Sequence, residues 1–111
     1  MEIKISFAEV VKHMLTYEKD TVKALQEGTG SIHDGMTQPT YDLIRDYSNT
    51  IVLRASEVRA LISNDRYPYT SNEDLTYLLV LDYLEYYFYD KNRYKTFAAF
   101  KKAMIRKARE A

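Results

Sequence analysis

The chain contains no cysteine and no tryptophan, and its 111 residues include only three glycines and two prolines. Without cysteine there can be no disulfide framework, no thiolate metal site and no cysteine nucleophile. A cysteine-free chain fits a reducing compartment, so a cytoplasmic location is expected. So few glycines and prolines leave little backbone punctuation, which favours a few long helices over many short strands. The opening residues, MEIKISF, lack the basic segment and long apolar core of a secretion signal. No apolar run reaches the ~20 residues that span a bilayer, so no membrane partner is expected. Formal net charge is zero, which rules out an overall polyanion or polycation.

What the chain does have is tyrosine, 11 of its 15 aromatic residues, within a hydrophobic content of 46% that is enough for one core. Tyrosine joins an apolar ring to a polar tip and suits places half inside a core and half at a surface. Its densest use is from Leu75 to Tyr89, LTYLLVLDYLEYYFY, where only Thr76, Asp82 and Glu85 interrupt an apolar or aromatic run. Read as a helix, this stretch has one narrow polar stripe, because Asp82 and Glu85 lie three residues apart. A helix that is apolar almost all round is normally buried in the middle of its fold.

The remaining segments arrange themselves about that helix. Ser6 and Glu9 form a capping-box pattern at the start of a helix over 6–27, whose apolar stripe is Phe7, Val10, Val11, Met14, Val22 and Leu25. Gly28 ends it by accepting a left-handed backbone. Residues 28–38 hold all three glycines and form the one long loop, expected to be the most mobile part. Pro39 opens a second helix over 39–63, with a weak point at SNTIV, residues 48–52, where side chains compete for backbone hydrogen bonds and three residues are β-branched. The spacing predicts one bent helix, or else a helix to Tyr47 and another from about Ile51. Residues 64–70 read as a turn around Pro68, Ser71 and Asp74 cap the central helix over 71–90, and Thr96 caps a last helix over 95–109. The expectation is a single all-α domain over 1–111, a small four-helix bundle around its third helix.

Motifs for chemistry are sparse. Asp82 and Glu85 are the best-placed carboxylate pair, but neither histidine lies on their helix, and a general acid needs a partner. The favoured reading is a polar stripe that faces solvent or pairs with basic residues from the C-terminus. His13 reads as a half-exposed helix residue, and His33 with Asp34 falls short of a metal site, which needs at least three converging ligands. Gly28-Thr29-Gly30-Ser31 resembles a phosphate loop only faintly: it follows a helix, and no Gly-Lys-Ser/Thr completes it. No catalytic, metal or cofactor residue is assigned, no small-molecule substrate is expected, and no motif identifies a family.

Two surfaces remain. Tyr77, Tyr83, Tyr86, Tyr87 and Tyr89 point in too many directions for all to be interior, so with Asp82 and Glu85 they form the expected protein interface. From Lys91 onward there are eight basic residues and one acid, Glu110, leaving the rest of the chain acidic by the same amount. Within that segment Lys101, Lys102, Arg106, Lys107 and Arg109 are candidates for nucleic-acid contact, since lysine and arginine neutralise phosphates. The expected function is a non-enzymatic helical protein that binds a protein partner and self-associates through its tyrosine-rich helix. Nucleic-acid binding by the basic helix is the alternative. By analogy of size and fold alone, inhibitors, immunity proteins and accessory proteins of bacteria or phages have this form.

Overall fold

The computed structural model describes residues 4–33, 35–63, 67 and 71–110, with 72 and 73 by their backbone only. Its regular structure is entirely helical: α1 (Phe7–Tyr17), α2 (Lys19–Glu27), α3 (Gln38–Ser48), α4 (Ala55–Ile62), α5 (Asn72–Tyr89) and α6 (Phe97–Glu110). The turn expected over 64–70 lies, apart from Tyr67, outside the described residues.

The long apolar stretch becomes α5, which packs against α2, α3, α4 and α6. Its lack of a polar face has a specific cause. Val80, Leu81 and Leu84 enter one core with Val10 and Met14 of α1, Val22 and Leu25 of α2, Ile32, Met36 and Ile44. Leu75, Leu79 and Tyr83 enter a second core with Leu61, Tyr67, Phe100 and Met104. The helix is the wall between two cores, so both of its broad faces must be apolar. Ser71 Oγ accepts from the Asp74 amide at its start (3.2 Å), as the capping pattern predicts. The Asp74 carboxylate instead reaches Arg45 of α3 at 3.1 Å.

Two of the four expected helices are broken, which makes six. The helix over 6–27 bends at Glu18, whose backbone leaves helical geometry (φ −126°, ψ 44°). There the Glu18 carboxylate, only 6% exposed, turns inward. Its Oε1 accepts from the Thr37 amide (3.0 Å), the Thr37 hydroxyl (2.6 Å) and the Thr40 hydroxyl (2.7 Å). Thr37 is the N-cap of α3, so a side chain from the α1–α2 junction satisfies the start of α3. The helix over 39–63 breaks at 49–54, where the sequence is weakest. Ser48 and Thr50 hydroxyls donate to the carbonyls of Arg45 and Tyr47, and the β-branched residues that follow leave the helix. Glu57 Oε1 accepts from the Arg54 amide (2.9 Å) and restarts the chain as α4.

Gly28 ends α2 with φ 71°, as expected, and a Cβ there would come within 2.9 Å of the Tyr89 ring. Thr96 Oγ1 accepts from the Ala99 amide (3.1 Å) at the start of α6.

Burial opposes the charge on Glu18, but the hydrogen bonds from Thr37 and Thr40 outweigh it and hold its carboxyl below the ordinary glutamate range. A carboxyl with a depressed folded-state pKa stabilises the fold above its unfolded value of about 4.3 and loses that contribution as pH falls through the folded value. Glu18→Gln should therefore cost about 1–3 kcal/mol in urea denaturation at neutral pH. The gap to the parent should close as the pH is lowered below that range. A gap that persists undiminished in acid would contradict this assignment.

Candidate functional site

Along α5, Leu78, Asp82, Glu85 and Tyr89 follow one another at spacings of four, three and four, which places them on one stripe between the two apolar faces. The glycine-containing loop between α2 and α3 lies along this stripe. Glu85 Oε1 accepts from the Ile32 amide at 3.0 Å, and Ile32 itself is fully buried. His33 Nε2 stands 3.6 Å from Asp82 Oδ1. On the other carboxylate oxygen, the buried Tyr67 hydroxyl donates to Asp82 Oδ2 at 2.5 Å. Gly28 lies against the Tyr89 ring. A cleft of about 310 Å³ opens over this seam, lined by Ser31, His33, Tyr67, Leu78, Asp82 and Glu85.

This overturns the expectation that the stripe faces solvent or pairs with the basic C-terminus. Asp82 is only 4% exposed and works as a clamp on neighbouring chain. A buried carboxylate must have hydrogen-bond or charge partners, and here the loop and Tyr67 supply them. The partner histidine absent from the helix is brought to Asp82 across the fold from position 33. The acid that pairs with α6 is Glu57, whose Oε2 lies 2.9 Å from Lys101 Nζ.

The tyrosines sort by depth. Tyr83 is buried at the hub of an aromatic cluster, with ring centroids 5.0 Å from Phe7, 5.8 Å from Phe97 and 5.5 Å from Phe100. Burial pushes its phenol pKa up. Tyr86 is half-buried against Phe100 and edge-on to Tyr94, and Tyr87 is half-buried edge-on to Phe7. Tyr77 carries the Arg45 guanidinium 3.9 Å above its ring. Tyr89 stands 61% exposed. The structure thus places these residues on one helix but on different surfaces, and Asp82 and Tyr83 inside. Beside Tyr89 a cleft of about 320 Å³ is lined by Val11, Leu15, Gln26, Tyr87, Phe88 and Asp90 among others. Leu15, which the sequence reading passed over, is 49% exposed at that edge.

On α6, Phe100, Met104 and Ala108 are buried, while Lys102, Arg106, Lys107 and Arg109 are exposed. Lys101 is half-buried in its pair with Glu57. His13 Nε2 lies 2.9 Å from Thr40 Oγ1 in the network that holds Glu18. Asp34 lies outside the described residues. Among the described residues no three histidine, aspartate or glutamate side chains converge to hold a metal, and no helix is long and apolar enough to cross a membrane. Comparison with protein-family models, with curated proteins and with solved structures finds no match.

The seam makes a direct demand on Tyr67. Tyr67→Phe keeps the ring and removes only the hydroxyl, so it opens no cavity. The loss of a charge-assisted bond to a buried carboxylate should cost about 1–3 kcal/mol in chemical denaturation. A change within about 0.5 kcal/mol, the range of an ordinary surface substitution, would contradict the clamp.

Proposed function

We propose that this chain is a binding protein without covalent chemistry of its own, and that it self-associates through the aromatic face at the C-terminal end of α5. The observation that carries this is the grouping of Tyr89 and Leu15, both exposed, around the cleft beside Tyr87 and Phe88. Large apolar side chains that share a cleft edge, rather than standing singly, mark surfaces that are covered in the working protein. Tyrosine adds a ring that buries well and a hydroxyl that can remain paired, which is why it recurs at interface centres.

The rim fits a second copy. Asp90 and Lys91 stand side by side there with Gln26 and Asn92, so the rim carries both signs and no net charge. In a two-fold arrangement each patch meets its own kind, and a mixed rim avoids like-charge repulsion. The proton-transfer candidates support the absence of covalent chemistry, since Asp82 and Glu85 are engaged in holding Tyr67 and the loop. A small inhibitor, immunity or accessory protein that acts by covering a surface is the role in keeping with this reading.

Light scattering across a concentration series tests the interface. The parent should give the mass of a dimer at concentrations of roughly tens of micromolar. Leu15→Lys combined with Tyr89→Arg should give a monomer with unchanged helical circular dichroism, because both side chains are exposed. A parent that is monomeric throughout, or a dimer indifferent to the double substitution, would contradict the proposal.

A further inference from the structure

We propose that the exposed face of α6 is a second binding surface, whose occupant is the phosphate backbone of double-stranded DNA, held without regard to base sequence. The basic residues of α6 are not among those lining the cleft beside Tyr89, and the proposal does not rest on self-association.

Lys102, Arg106 and Arg109 are spaced at four and three residues and so stand in one row along the outside of α6, with Lys107 beside it. Lys91, Arg93 and Lys95, in the segment leading into the helix, are exposed as well. Of the eight basic residues from Lys91 onward, only Lys101 makes an ion pair among the described residues, with Glu57. The other seven make no ion pair among the described residues, four of them on α6 and three in the segment leading into it, with Asp90 before that segment and Glu110 at the end of the helix as the neighbouring acids. Such a concentration of one sign in a chain of zero net charge is the electrostatic footprint of a polyanion site.

The packing of α6 selects among polyanions. A helix that lies on an anionic membrane needs a free apolar face, but Phe100, Met104 and Ala108 are buried against the rest of the chain. Single-stranded nucleic acid is held by bases stacked on aromatic rings. The rings interleaved with these basic residues are half-buried and already engaged: Tyr94 packs edge-on against Tyr86 and Phe100 with the Arg93 guanidinium over its ring, and Phe97 packs edge-on against Tyr83. What is left is positive charge on the outer face of a helix, and an α-helix about 10–12 Å across matches the width of the B-form major groove. The A-form groove of duplex RNA is too narrow to admit it. The proposed contacts go to phosphate, which lysine and arginine neutralise and which carries no sequence information.

The test is fluorescence anisotropy of the full chain with a labelled DNA duplex about two helical turns long, over a salt series. Unlabelled duplexes of unrelated sequence, single-stranded RNA and phosphatidylserine vesicles serve as competitors. Binding should weaken with salt at a log–log slope of about −3 to −4, as four neutralised phosphates require. Lys102→Ala and Arg106→Ala should each lower that slope by about one, and reversal to glutamate of Lys102, Arg106 and Arg109 should abolish binding with the helical signal intact. Duplexes of any sequence should compete equally. The proposal is overturned by an absence of binding at low salt, by a slope the alanine variants leave unchanged, or by equal competition from RNA or vesicles.

Discussion

The structure depends on a single constraint: a helix of eighteen residues that is apolar on both broad faces has to be covered on both. In a chain of 111 residues this leaves little freedom. α1, α2 and α3 cover one face and α4 and α6 the other, so two cores share α5 as their common wall. Each core alone is small. Through α5 they become coupled, because a side chain displaced in one presses on the helix that supports the other.

Between the two faces runs the stripe of α5 that carries Asp82 and Glu85, and it is put to structural use. Asp82 and Glu85 hold Tyr67 and the α2–α3 loop, and so close the gap that two packed sides leave open. Glu18 does the same at the α1–α2–α3 junction. In both places a carboxylate is buried with hydrogen bonds from backbone amides or hydroxyls, a satisfied arrangement that fixes one chain path over others. A folding device of this kind resembles a catalytic acid when only the sequence is in view, since both are carboxylates in apolar company.

Much of this architecture was legible in the sequence, for reasons local to each element. The central position of α5 follows from its composition, and Ser6, Gly28, Ser71 and Thr96 act at helix ends as their backbone chemistry dictates. The break after Ser48 is visible as a weak point, although the spacing there also allows one bent helix. The bend at Glu18 was not visible, because nothing around it disfavours a helix: it is imposed by Thr37 and Thr40, some twenty residues on. The Asp82–His33 approach was hidden for the same reason. Its partners lie 49 residues apart and meet only because the loop must cover α5. One signal did point there, since two carboxylates on an otherwise apolar helix require partners, and a loop holding every glycine of the chain can lie close to a helix. The tyrosines sorted by depth in a way that spacing alone does not reveal, with Tyr83 at an aromatic hub and Tyr89 outside.

Outside the interior, among the described residues, apolar side chains gather at the edge around Tyr89 and Leu15 and basic ones along the row on α6. Both sit on elements that α5 anchors, so the role of α5 as a shared wall is the claim on which the rest stands. Native-state hydrogen exchange tests it most directly. If one helix supports both cores, the amides from Leu79 to Leu84 exchange only on global unfolding and are the slowest in the chain, while those of the exposed face of α6 exchange by smaller openings. Amides of α5 that exchange as fast as those of α6 would contradict the account.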